Sequence, residues 1–154
     1  MEVRMVNIFR GIGHALAAIT TNCSEFTSAW DNHAECKEIE GRWRGKWISE
    51  VNGHHGVLRC VLRQTDNDRL SAIFHAEYSR FLRVCYAVEL RQIRSGDRFQ
   101  LVGEADLGGL AGGVYRYEGE LSQNHFVCNY SCRYDRGRFD LKPAGLPTRL
   151  SEYL

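Results

Sequence analysis

The sequence predicts a mainly β fold: an eight-stranded antiparallel up-and-down barrel preceded by two N-terminal helices. Three observations carry this. From Gly41 the apolar residues recur at every second position; the alternation runs in eight short segments as far as Leu141; and turn residues, with no helical pattern, stand between the segments. Strands spaced about 8 to 13 residues apart and joined by turns make a closed meander, because closure removes the exposed edges of an open sheet. Residues 1–40 are expected to be a helical extension packed on the barrel, and residues 41–154 the barrel with a short C-terminal tail.

Met5, Ile8, Phe9, Ile12, Leu16 and Ile19 fall three and four apart. That spacing marks one face of a helix over about Val3 to Ile19, which Gly11 and Gly13 weaken. Its polar face carries few cations, so packing on the barrel is the expected role, with a mouth lid or a membrane-surface helix as alternatives. Thr20, Thr21, Asn22 and Ser24 are capping residues that separate it from a second helix, about Ser24 to Glu38. There Phe26, Ala29, Trp30, His33 and Lys37 share a stripe, and Trp30 is expected to anchor it to the barrel wall. His33 and Cys36, with Cys23 more distant, fall short of a tetrahedral ligand set, and no metal is expected.

In the first strand, about Arg42 to Val51, Trp43, Gly45 and Trp47 alternate with Arg42, Arg44 and Lys46. Asn52-Gly53-His54-His55-Gly56 turns into the second, about Val57 to Gln64. The third, about Arg69 to Tyr78, sets Leu70, Ala72, Phe74, Ala76 and Tyr78 on one side. Ser79-Arg80-Phe81 leads to a long fourth, Leu82 to Arg94, and the fifth carries Phe99, Leu101, Gly103 and Ala105. Gly108 to Gly113 lacks the context and the Lys-Ser or Lys-Thr ending of a phosphate loop, so it is expected to kink the connection or gate a mouth. The sixth spans about Val114 to Ser122 and the seventh about His125 to Tyr134. The last carries Phe139 and Leu141 before Pro143 and Pro147 mark an irregular tail.

Composition narrows the function classes. Twenty Lys plus Arg against 19 Asp plus Glu leave a formal charge of +1 in 154 residues, so no field favours nucleic acid. No stretch reaches the roughly 20 apolar residues of a spanning helix, so stable membrane insertion is not expected. Arg10 and His14 interrupt the run that imitates an export signal, and the segment is expected to be retained. Six Cys are too sparse for a disulfide-built scaffold; they read as mostly reduced, in a soluble, cytoplasmic protein.

With Trp43 inward, alternation lines the interior with Trp47, Leu58, Cys60, Leu62, Phe74, Tyr86, Phe99, Leu101, Tyr115, Tyr117, Phe126, Cys128 and Tyr130. Of these, Trp47, Phe74, Tyr86, Tyr115, Tyr117, Phe126 and Tyr130 are the candidate ligand-binding residues. Their rings suit a small hydrophobic or amphipathic molecule, and buried tyrosine hydroxyls offer it polar contacts. Gly45, Ala72, Ala76, Gly103, Ala105 and Gly119 are expected to leave space opposite the rings. Cys60, Cys128 and Cys132 read as small apolar groups facing inward. His75, Glu77, Glu89, Glu104, Glu118 and Glu120 fall on outer faces, where Arg42, Arg44, Arg59, Arg63, Arg83, Arg91 and Arg116 are expected to pair with the glutamates. No catalytic residue and no cofactor is assigned.

Gly41-Arg42-Trp43, placed directly after a helical lead-in, resembles the Gly-x-Trp signature of the calycin group: lipocalins, fatty-acid-binding proteins and avidins. The resemblance covers about Gly41 to Leu141. It implies that Trp43 plugs one end of the barrel, with Arg138, or less well Arg136, stacking on it as barrel closure. No biotin-site constellation is evident, and the paired Arg and Tyr of a fatty-acid carboxylate site are not matched. The implied function is that of a carrier or sensor holding a small apolar ligand inside the barrel. An enzyme acting on a lipid-like substrate, with His54, His55 or a buried Tyr as acid or base, is one alternative; an interaction protein with a filled barrel is the other. The oligomeric state is open.

Overall fold

The structure, a computed structural model, describes residues 19–33 and 38–145. Among these, one α-helix, α1 (Ser24–Asn32), precedes eight strands: β1 (Gly41–Ser49), β2 (His55–Asp66), β3 (Arg69–Glu77), β4 (Arg83–Ser95), β5 (Arg98–Asp106), β6 (Val114–Leu121), β7 (Phe126–Ser131) and β8 (Arg136–Pro143). Consecutive strands pair antiparallel, and β8 returns to β1 with Trp47 opposite Phe139 and Trp43 opposite Pro143, which closes the barrel.

The period-two pattern acts as expected. All thirteen interior residues named from alternation join one core cluster, with Tyr86, Phe99, Tyr115 and Tyr130 only partly buried. Trp43 is 0 % exposed, and its indole N–H donates to the Ile39 carbonyl at 3.0 Å. An aromatic column rises from it. Trp43 meets Phe126 edge-on at 6.0 Å between ring centroids, Phe126 meets Phe139 at 5.1 Å, and Phe139 meets Phe74 at 5.4 Å. An eight-stranded barrel is just wide enough to be filled by such side chains. The inward glycines add no room. A Cβ on Gly45 would lie 1.8 Å from the Asp140 carbonyl oxygen, and one on Gly119 2.1 Å from that of Val127, so these positions let neighbouring strands approach where the barrel coils.

Arg138 does not meet Trp43. It is exposed on the outer side of β8, opposite Ile48, while Pro143 faces Trp43 in register. Trp43 is held by Ile39 and Phe126 instead.

Of the two expected N-terminal helices, one is seen. The other, about Val3 to Ile19, lies outside the described residues except for Ile19, which packs on the core. α1 stops at Asn32 rather than Glu38, because His33 is already extended (φ −101°, ψ 106°). Its last turn holds Asp31 and Asn32 and no cation, a poor match to the negative end of a helix dipole. Cys36 and Lys37 lie outside the described residues. The seventh strand ends at Ser131 rather than Tyr134, and Gly109–Ala111 form a single 3-10 turn flanked by Gly108 and Gly112 at φ 93° and 106°. No helix among the described residues is long and apolar enough to cross a membrane.

α1 packs on the outer wall through Phe26 and Ala29, against Val61 and Cys85. Trp30 takes two guanidinium groups, Arg42 at 5.4 Å and Arg59 at 5.1 Å from its centroid. A disulfide joins Cys23 to Cys85, with Cα atoms 5.5 Å apart. The expectation of reduced cysteines therefore fails at these two positions, and the cytoplasmic inference built on it loses its basis. The same site closes a seam. β4 pairs with β5 only through Leu90–Ser95, and on the edge this leaves open Thr20 exchanges two backbone hydrogen bonds with Cys85, at 2.9 and 2.8 Å.

Trp43→Ala should lower the unfolding free energy by about 3–5 kcal/mol in denaturant titrations, as loss of a large buried ring does. Arg138→Ala should stay within about 0.5 kcal/mol of wild type, as an exposed residue does; comparable losses at both positions would restore the stacked pair. Cys85→Ser, which opens a loop of 62 residues, should cost about 2–4 kcal/mol in the same assay.

Candidate functional site

The barrel's two ends differ. At the end opposite Trp43, the finish of β1, β3, β5 and β7 and the start of β2, β4, β6 and β8 come together around a recess. Trp47, Ala76, Tyr78, Tyr86, Leu107, Tyr115, Tyr117 and Tyr130 line it, with Leu58 and Phe139 at its base. Its volume, about 20 Å³, suits one water. Phe74 forms the layer beneath, stacked on Tyr86 at 5.2 Å and on Tyr117 at 6.4 Å.

Strand alternation alone sends these tyrosines inward, and a buried hydroxyl then needs a partner. Tyr115 donates to the Ala111 carbonyl at 2.7 Å, so the 3-10 turn after β5 positions that ring. Tyr130 reaches the Ile48 carbonyl at 3.4 Å, and the Tyr86 and Tyr117 hydroxyls bond each other. Trp47 donates its indole N–H to the Glu77 carbonyl at 3.2 Å and lies 4.8 Å from the Tyr78 ring. Burial raises Tyr86 and Tyr117 well above the ordinary phenol value of 10.0, and it also raises Tyr78, Tyr115 and Tyr130. Every phenol in the recess is thus a neutral donor at neutral pH. Cys60 and Cys128, deeper in the core, are likewise raised above 9.0, chiefly by burial, and are packing groups rather than nucleophiles.

The structure brings together five of the seven ligand residues expected from sequence: Trp47, Tyr86, Tyr115, Tyr117 and Tyr130. Phe74 supports them from below. Phe126 does not join, because it belongs to the closed end with Trp43. Tyr78 and Leu107 are additions. Alternation had already set Tyr78 on the side of Phe74, and Leu107, one residue past the end of β5, continues by one step the inward series of Phe99, Leu101, Gly103 and Ala105.

His54 and His55 are both exposed and line no part of the recess. His75 and Glu104, placed on outer faces as expected, are nevertheless buried. Glu104 pairs with Arg116 across β5 and β6 at 3.2 Å. Other cross-strand pairs use Arg69 with Glu89 at 2.6 Å and Arg98 with Glu120 at 3.6 Å, while Arg42 and Arg59 lie over Trp30. A larger hollow of about 730 Å³ sits at the Trp43 end, lined largely by Glu38, Gln64, Asn67, Gln92, Arg94 and Asp97. The smaller recess has the apolar walls and few convergent polar groups that characterise small-molecule sites, whereas long polar side chains from strand ends and turns line most of the larger hollow.

No protein-family model and no curated protein matches the chain. Two solved structures resemble it. A redesigned β-barrel, mFAP1, bound to DFHBI, aligns with a TM-score of 0.51 at 12% identity over 67% of this chain and 93% of its own. A second redesigned barrel, b11L5F_LGL, aligns with a TM-score of 0.49 at 12% identity over 67% of this chain and 89% of its own. At 12% identity the likeness to mFAP1 speaks to the fold alone, which in this chain is a closed, eight-stranded antiparallel β-barrel.

The buried acids set a pH dependence. The unfolded chain ionises thiols near 9.0 and phenols near 10.0, while the folded chain keeps those protons to higher pH. Stability should therefore be full below about pH 9 and fall above it, by as much as about 1.4 kcal/mol per pH unit for each group. Denaturation midpoints from pH 7 to 11 test this, with Tyr86→Phe/Tyr117→Phe expected to flatten the fall above pH 10; a level wild-type profile would contradict it. In the native state Cys60 and Cys128 should resist alkylation in peptide mapping.

Proposed function

We propose that the barrel binds a small, flat, hydrophobic or amphipathic molecule at its tyrosine-lined mouth, as a carrier or sensor that performs no chemistry on it. The observation that carries this reading is the convergence of Tyr78, Tyr86, Tyr115, Tyr117 and Tyr130 on one recess opposite the plugged end. The site differs from a ligand chamber running the length of the barrel, since the aromatic column from Trp43 to Phe74 fills the lower two layers. Tyr78 is 41% exposed and stands at the edge of the recess with its ring 4.8 Å from that of Trp47.

The rim supports the same reading. Ile48, Val51, Tyr78, Phe81, Leu82, Val114 and Tyr134, exposed apolar residues, all stand on strand ends and turns at the mouth; Phe81 is 91% exposed. Apolar surface gathered at one end of a barrel marks an interaction site. A solved barrel of this fold is bound to DFHBI, which favours small-molecule binding without specifying the ligand. We place the chain near the calycin group on Gly41-Arg42-Trp43 and the plug formed by Trp43, with the closing arginine missing from that contact. An enzymatic role resting on His54 and His55 finds no support, because neither side chain reaches the recess.

Titration with the amphipathic fluorescent probe anilinonaphthalene sulfonate tests the proposal. One saturable site is expected. Ala76→Leu, which fills the recess, should weaken binding by about tenfold or more, equivalent to about 1.4 kcal/mol. Tyr117→Phe should weaken it by about three- to tenfold through one lost hydrogen bond. Unsaturable binding, or wild-type affinity in Ala76→Leu, would leave the filled-barrel interaction protein as the better reading.

A further inference from the structure

The outer wall beneath α1 holds a second group of reactive side chains, separate from the mouth. His75 on β3 stands in register with Cys85 on β4 and Arg59 on β2. The sulfurs of Cys23 and Cys85 and a ring nitrogen of His75 all lie within 4.8 Å of one another. His75 is only 4% exposed, and its Nδ1 has no hydrogen-bond partner among the described residues. Burying such a nitrogen without a partner is costly, and each case calls for a reason. Packing does not supply one: the ring meets Phe26 at 5.1 Å, a contact that an apolar side chain could make without burying a polar atom.

Two thiolates and an imidazole converging on one point are the donor set of a thiophilic divalent cation. In the oxidised chain the sulfurs are committed to each other. A dithiol reductant supplies two electrons and two protons, leaves as its own disulfide, and yields two thiols in the protein. We propose that the reduced chain binds one Zn²⁺ through Cys23 Sγ, Cys85 Sγ and the His75 ring, with water as the fourth donor. The two thiol protons are released to solvent as the Zn–S bonds form.

The geometry permits the exchange. The sulfurs need to separate only to about 3.8 Å, the edge of a tetrahedron with Zn–S bonds of about 2.3 Å. Thr20, three residues before Cys23, holds the segment to the Cys85 backbone while they do so. Cys23 is half-buried, which leaves that side of the site open to water. The metal then takes over the crosslink that the disulfide provides, tying the start of α1 to the barrel wall in either redox state.

The test uses the full chain, reduced with a phosphine that takes up oxygen from water, then desalted anaerobically and titrated with Co²⁺ and with Zn²⁺ against a colorimetric chelator. The reduced chain should bind one equivalent and show the visible bands of a tetrahedral Co²⁺–thiolate centre, which the oxidised chain should lack. His75→Ala and Cys85→Ser should each weaken binding by at least about tenfold, and Cys132→Ser should leave it unchanged. Circular dichroism checks that each variant stays folded. If Cys85→Ser unfolds, X-ray absorption of the Zn²⁺-loaded wild type decides: a shell of two sulfurs plus imidazole supports the site, and a shell without sulfur overturns it. A reduced chain that binds no metal, or a His75→Ala chain with wild-type affinity and spectrum, also overturns it.

Discussion

The pairing of β8 with β1 is the constraint on which the rest of the structure depends. Trp43 and Pro143 lie about a hundred residues apart in the chain and directly opposite in the sheet. That contact turns an eight-strand ribbon into an enclosure, and only inside an enclosure do Trp43, Phe126, Phe139 and Phe74 share one core. Left open, the ribbon would expose two edges and one apolar face to water. Contacts so distant in sequence carry a large loop-closure cost, which the buried aromatic column offsets once it forms.

Alternation made most of this legible. A period of two reports which side of a strand each residue occupies, and it therefore named the interior correctly from Trp47 to Tyr130. It does not report what covers the outer side. His75 and Glu104 point outward as expected and are still buried, and Arg42, also outward, is 2% exposed with its guanidinium over Trp30. Nor does it report depth along the axis, which is why Phe126 was grouped with the mouth tyrosines although it packs on Trp43. The Cys23–Cys85 pair escaped for a different reason: its partners are 62 positions apart and share no local spacing. Glycines misled in the opposite sense, since the absence of a side chain at Gly45 is taken up by the neighbouring strand and leaves no void.

The barrel is thus asymmetric along its axis. At one end the indole of Trp43 is clamped by Ile39 and Phe126, and the rings of Phe126, Phe139 and Phe74 pack in succession behind it. At the other, tyrosines replace aliphatic side chains, hydroxyls are tied to Ala111 and Ile48 carbonyls, and the surrounding turns carry apolar side chains into solvent. The mouth-side half of β4 lacks a β5 partner along Arg83–Glu89, and Thr20 fills part of that edge under the Cys23–Cys85 link. The wall beside the tyrosine recess is therefore held partly by chain from outside the barrel, and Cys85 stands one residue before Tyr86 of the recess.

Amide hydrogen exchange, read strand by strand, tests this account most directly. If β1 and β8 close the sheet, the amides of Arg44 to Trp47 and of Phe139 to Leu141 should exchange as slowly as those in the centre of β2 and β3. Rapid exchange in both end strands, with protection confined to β2 through β7, would mean an open sheet, and the enclosed core and tyrosine mouth would fall with it.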